Sequence, residues 1–204
     1  MRFYFYFCAL FCFLALPLQA SGLPSPAALL AAKRGYRHAV KLNLTSSPWM
    51  FVIDYTKPST ERRFWILNIP EHFVKVTSYV AHGTDTGLNY ATKFSDTPNS
   101  HQSSLGFFLT DESYSGKHGQ SLRLIGLEKY FNAHAKKRGI VIHAANYISE
   151  KFIKHWHRLG RSWGCFAVND DFLEEVLKSA HQPILLLSYY PEKSWLEQSK
   201  FLSS

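Results

Sequence analysis

A mainly β domain of the α+β class, with a few peripheral helices, is the fold the sequence predicts. Short runs of β-branched, aromatic and leucine residues recur from Trp49 onward, separated by turn-forming stretches such as Asp54 to Ser59. Helical periodicity is confined to a few segments. The 204 residues suffice for one domain with a sizeable core, and no internal repeat or low-complexity segment divides them.

The first element is a leader. Met1-Arg2 precede an apolar run from Phe3 to about Leu18, and Gln19-Ala20-Ser21 offer small residues at a cut site, the pattern of a secretory signal peptide over residues 1–20. Pro17 and the small residues after it favour cleavage over a retained anchor, so membrane contact is expected only through this segment before it is removed. Residues 21–48 form an Ala- and Leu-rich N-terminal segment, with a helix over residues 24 to 41 broken near Gly35. The main domain is expected over residues 49–204.

Within that domain the strand candidates are Met50 to Ile53, Phe64 to Leu67, Val74 to Val80, Gly106 to Thr110, Leu122 to Ile125, Ile140 to His143, Cys165 to Val168 and Ile184 to Ser188. Val74 to Val80 alternates as a half-buried strand does. Residues 84 to 104 are rich in Thr, Ser, Asn and Asp and read as a long loop, a length at which loops are commonly functional. Helices are expected over Glu128 to Lys137, Tyr147 to Arg158 and Asn169 to Ala180. The last has an Asn169 or Asp170 cap, acidic residues at its positive end, and an apolar face of Phe172, Leu173, Val176, Leu177 and Ala180.

Charge and cysteine usage narrow the function. The net charge is +8, and it falls to +7 once Arg2 leaves with the leader. The basic residues lie in scattered clusters, Lys33-Arg34, Arg62-Arg63, Lys136 to Arg138 and Arg158 to Arg161, which read as a solvated basic surface rather than a nucleic-acid stripe. Cys8 and Cys12 depart with the leader, leaving Cys165 alone. A lone thiol in an exported chain cannot form an internal disulfide, so it is either buried and inert or reactive.

The residues around Cys165 favour reactivity. Gly139-Ile140-Val141-Ile142-His143 reads as a buried strand with a histidine at its end. Leu159-Gly160-Arg161-Ser162-Trp163-Gly164-Cys165 reads as a tight turn leading into the apolar Phe166-Ala167-Val168. An ordinary cysteine, with a pKa of about 8.5, is mostly protonated at neutral pH, and an adjacent imidazole can remove the proton. His143 and Cys165 meet if their strands are neighbours. Gly164 would leave room for a substrate carbonyl, with its N–H and that of Cys165 directed at a developing oxyanion. Ser162 would brace the turn or bond the substrate. No Asp or Asn stands out to orient His143, a role a backbone carbonyl can fill.

These residues also resemble a known family. The Ser162-x-Gly164-Cys165 signature after a strand-end His143 is similar to that of the murein L,D-transpeptidases (the YkuD-type catalytic domain). The resemblance extends over Val80 to Gly83, Ser103 to Phe107, Tyr114 to Gly119, Ser121 to Leu124, Gly126 to Glu128 and Gly160 to Cys165, about residues 50 to 190 in all. It implies a β-sandwich-like catalytic domain. Cys165 would attack the amide after the third residue of a peptidoglycan stem peptide, release D-Ala, form a thioester acyl-enzyme and pass the acyl group to an amine to give a 3–3 cross-link. Water as acceptor would instead give an L,D-carboxypeptidase. By position, His143 is the base and acid, Ser162, Trp163 and Gly164 belong to the catalytic turn, and His82 and Arg161 line the cleft. No metal or cofactor is implied, the partners are peptidoglycan stem peptides rather than nucleic acid, and the place of action is the periplasm or cell wall. Ala144, Phe166, Trp163 and Val168 stand where the family often has Gly, Pro, His and Arg, departures that bear on acceptor and substrate preference.

Rival readings fit less well. Papain-like peptidases place the cysteine before the histidine, and the sortase signature is absent. A catalytically inactive peptidoglycan-binding protein would not need Cys165. A metal site at His155 and His157 would require two alternate side chains that a helix points apart.

Overall fold

The structure, a computed structural model, describes residues 22–117 and 119–203, so the expected leader lies outside the described residues. Among the described residues, eight strands form one mixed sheet: β1 (Trp49–Asp54), β2 (Phe64–Asn68), β3 (Phe73–Ser78), β4 (Gly106–Gly116), β5 (Gly119–Gly126), β6 (Val141–Ala144), β7 (Phe166–Val168) and β8 (Leu185–Tyr189), in the order β3-β2-β1-β8-β4-β5-β6-β7. Four helices among the described residues accompany it: α1 (Pro26–Lys41), α2 (Glu150–Trp156), α3 (Asp170–Ser179) and α4 (Lys193–Gln198). The mainly β, α+β expectation holds.

The central strands are apolar throughout because both faces of the sheet are covered. On β1, Phe51 and Ile53 enter one core with Phe64, Phe108, Phe166 and α3's Phe172, while Met50 and Val52 enter a second core beneath α1 and α4's Trp195. The ends of the sheet are drawn towards each other. The chain leaving β3 reaches β7, the opposite edge strand, where Ala81 N–H donates to Ala167 O at 2.9 Å and Gly83 bridges Ser162. This closure carries residues 80 to 84 onto the nucleophile turn.

Three helical expectations are corrected. α1 runs unbroken through Gly35, because the missing side chain makes a slot for the Phe107 ring; a Cβ there would sit 2.0 Å from Phe107 Cε1. Glu128 to Lys137 is a chain of turns. Two of its polar side chains, Glu128 and Asn132, point inward and bond the backbone at the start of β4: Glu128 Oε2 accepts from Phe107 N–H at 2.7 Å, and Asn132 Nδ2 donates to Leu105 O and Phe107 O. Such bonds compete with the helical ladder. α2 occupies only the middle of the expected span, starting where Ser149 Oγ accepts from Phe152 N–H and ending at His157 in the left-handed conformation. α3 matches expectation except at its cap, since Asn169 Oδ1 accepts from Ser78 Oγ instead of from the helix.

Glu128 also bonds Trp195 Nε1 at 3.0 Å and so ties α4 to β4. Burial pushes its carboxyl pKa up. A raised folded-state pKa means that stability is fully present below the unfolded value, about 4.3, and is lost as pH rises through the folded value. Glu128→Gln, which keeps an acceptor without the charge, is therefore expected to melt higher than the parent at pH 7, with the gap closing towards pH 4. Glu128→Ala, which strands two buried N–H groups, is expected to cost about 2 kcal/mol or more. Thermal melts across pH check both.

Candidate active site

β6 and β7 are adjacent and parallel, with His143 opposite Ala167. Ile142, Phe166 and Val168 face the main core, so the alternation of side chains puts His143, Ala167 and Cys165 on the other face, beside a small cluster of Ala81, Ile148 and Leu159. Cys165 lies two residues before His143's partner, a diagonal of about 8 Å between Cα atoms that an imidazole can span. The crossover between the strands holds α2 and the turn, which is why 22 residues of sequence separation closes to strand neighbours.

His143 is 4% exposed, and its Nδ1 lies 2.9 Å from Ala144 O. A carbonyl only accepts, so Nδ1 carries the proton and Nε2 is the basic atom. The orienting group is thus a main-chain carbonyl. Cys165 is half-buried, and its thiol donates to Gly139 O at 3.5 Å. Burial pushes the thiol pKa up, opposed by the N–H of Val141 and the charge of Arg138. The thiol is therefore not a standing thiolate, and it must lose its proton as it attacks.

The turn is braced from within. Ser162 Oγ accepts from Gly164 N–H at 3.1 Å and donates to Cys165 O at 2.7 Å. Gly164 adopts φ +115°, a conformation that favours glycine, and a Cβ there would meet Gln102 O at 2.7 Å. The two expectations for Gly164 change accordingly: its N–H is held by Ser162, and the space beside it is occupied by Gln102. Trp163 is 73% exposed and stacks on His101, ring centroids 4.8 Å apart.

His82, expected to line the cleft, is 1% exposed. Its Nδ1 is 2.7 Å from Arg63 Nη2, and its Nε2 is 3.2 Å from Gly87 O. Burial, reinforced by the Arg63 charge, pushes its pKa down to about 3, so it is neutral, accepts at Nδ1 and donates at Nε2. Its own carbonyl takes the Ser162 N–H at 3.0 Å. Arg161 Nη1 donates to Thr84 O and Gly87 O, at 2.8 and 3.1 Å. It borders an open groove of about 880 Å³ that runs along residues 84 to 93 to Gln102. Both residues hold the 84–87 segment against the turn.

A family model for the L,D-transpeptidase catalytic domain matches residues 23–189. The chain belongs to the L,D-transpeptidase catalytic domain family. No curated protein matches it closely enough to count as a relative. The match starts at residue 23 and so takes in α1 as well as the sheet. An L,D-transpeptidase domain is an enzyme of peptidoglycan, and members of the family act on the cell wall. Among the described residues no helix is long and apolar enough to cross a membrane, and no group of three or more His, Cys, Asp or Glu side chains could hold a metal ion.

Several residues around Cys165 and His82 carry no local sequence signal. Arg63 is fully buried and donates to Val80 O, Lys57 O and His82; burial lowers its pKa to about 10, so it stays charged. Tyr55 lies beneath that guanidinium, 4.9 Å from it, and Tyr147 packs against Gly160. Burial, with a smaller contribution from negative charge at Cys165, pushes both phenols up to about 12. Ser103 Oγ accepts from Gly83 N–H at 3.0 Å and donates to Gly164 O at 3.4 Å. The clusters Arg62-Arg63 and Lys136 to Arg138, expected as solvated surface, each turn one arginine inward while its neighbours stay exposed. Arg63 immediately precedes β2, and Arg138 lies three residues before β6.

Proposed function

We propose that this domain is a peptidoglycan L,D-transpeptidase whose nucleophile is Cys165 and whose base is His143. The observation that carries the proposal is the placement of His143 on β6 and Cys165 at the entry to the adjacent, parallel β7, on one face, with the Nδ1–H of His143 donated to Ala144 O so that Nε2 is the basic atom of that tautomer. Sγ attacks the carbonyl carbon of the third stem residue as its proton passes to Nε2. The raised thiol pKa supports this coupling of attack to proton transfer. With Gly164 N–H held by Ser162, the N–H of Cys165 is the turn's donor for the oxyanion. The tetrahedral intermediate collapses, Nε2 returns the proton to the departing D-Ala amine, and a thioester remains. The amine of a second stem attacks the thioester carbonyl and yields its proton to Nε2. The C–S bond breaks and Nε2 returns that proton to Sγ, giving the 3–3 amide and the free thiol. Export to the periplasm or cell wall through a cleaved leader belongs to the same proposal.

The purified protein incubated with stem peptides, with products followed by mass spectrometry, tests it. Released D-Ala with 3–3 dimers is the expected result. Release of D-Ala alone would make the enzyme an L,D-carboxypeptidase. No product from folded protein with a titratable thiol would overturn the catalytic reading in favour of an inactive wall-binding domain.

A further inference from the structure

Arg138 is 3% exposed at its side chain and spends four hydrogen bonds on one loop. Nη1 donates to Ser95 O at 2.8 Å and Ser104 Oγ at 2.6 Å; Nη2 donates to Gln102 O at 2.6 Å and Ser100 Oγ at 3.2 Å. Within that loop, Asn99 and His101 adopt positive φ, 61° and 51°, conformations that need outside support. His101 is the residue that stacks on Trp163, and Gln102 O is the atom that abuts Gly164. A methyl group on Gly164 would lie 3.2 Å from Nη2, so the guanidinium reaches the backbone next to the nucleophile. The following residue, Gly139, supplies the carbonyl that takes the Cys165 thiol.

The charge is only partly neutralised. The nearest carboxylate oxygen, Asp96 Oδ1, is 3.8 Å from Nη1 and has no hydrogen-bond partner, while Asp96 Oδ2 is engaged by His134. The ionisable groups facing Cys165 are Arg138, His143 from the adjacent strand, and the phenols Tyr55 and Tyr147, which burial keeps neutral. Arg138 is thus the fixed positive charge among them.

We propose that Arg138 is a positioning residue for catalysis: it fastens the 95–104 loop to the nucleophile turn and sets a fixed positive charge beside Cys165, where thiolate and oxyanion form. The inference rests on Cys165 being the nucleophile, and its test does not require peptidoglycan. Alkylation of Cys165 by iodoacetamide, followed by mass spectrometry from pH 6 to 10, reads the thiolate directly. Arg138→Met is expected to slow alkylation at pH 7 by about tenfold and to move the inflection to higher pH, as loss of a nearby opposite charge does. Arg138→Lys is expected to keep the inflection near that of the parent, yet to lose turnover on stem peptides in kcat more than in KM, because an ammonium cannot hold four separate acceptors. A folded Arg138→Met protein with an unshifted profile overturns the proposal. Should Arg138→Met not fold, parent-like turnover in Arg138→Lys overturns it equally. A shifted alkylation profile without any turnover in the parent would leave Arg138's role at the thiol standing and defeat the transpeptidase reading alone.

Discussion

Cys165→Ala is expected to abolish both D-Ala release and cross-link formation, a loss on the order of 10⁴-fold or more, while melting close to the parent. The size follows from the mechanism. No thioester can form, and the remaining groups only bind and orient substrate. The melting temperature holds because Cys165 is half-buried and outside the apolar clusters, and its thiol–carbonyl contact to Gly139 is long, at 3.5 Å. Mass spectrometry should find the acyl-enzyme on the parent and none on the variant. Cys165→Ser separates chemistry from packing: it keeps a donor for Gly139 O but needs a far stronger base, so it too should be inactive. Turnover surviving in the alanine variant would place the nucleophile elsewhere and remove the basis of the proposal.

His143→Gln is expected to lower the rate of acyl-enzyme formation at pH 7 by about 10²- to 10⁴-fold, the range a positioned base supplies. The pH profile carries more information than the loss itself. Burial holds the Cys165 thiol above its ordinary pKa, so without the imidazole the thiolate comes only from hydroxide. The variant should gain about tenfold per pH unit from pH 7 upward until the thiol titrates, and its deficit should narrow with each step. Single-turnover kinetics on a stem peptide measures this. A His143→Gln enzyme with parent-like rates at pH 7 would show that another group takes the proton.

The apolar runs at Met50 to Ile53 and Ile184 to Ser188 mark the two central strands because such runs pack on both faces of a sheet. The same rule fails at Glu128 to Lys137. There the helical spacing is real, but Glu128 and Asn132 find backbone partners on β4, contacts that no local pattern announces. Gly35 fails for a related reason: a glycine weakens an isolated helix, yet here it admits Phe107 from a strand some 70 residues away in the chain.

The site divides along the same line. His143 and Cys165 stand out in the sequence through their types and flanking residues, and the family blocks stand out through their order. The roles of their neighbours do not. His82 reads as a cleft residue from its motif, but the closure of β3 onto β7 buries it with Arg63. Arg138 reads as one of a surface trio with Lys136 and Lys137, but a loop folded over it supplies four acceptors and hides it.

The sequence by itself determined the α+β class, most strand positions and family membership, and it singled out one histidine and one cysteine as candidates, all through local periodicity or contiguous motifs. Only the tertiary structure decided that β6 and β7 are parallel neighbours, that Ala144 O orients His143, that Gly164 is closed by Ser162 and Gln102, and which arginines are buried. Burial and hydrogen-bond partners belong to pairs of residues distant in the chain. They set the charge state of a side chain, and so its chemistry, only after the sheet has closed.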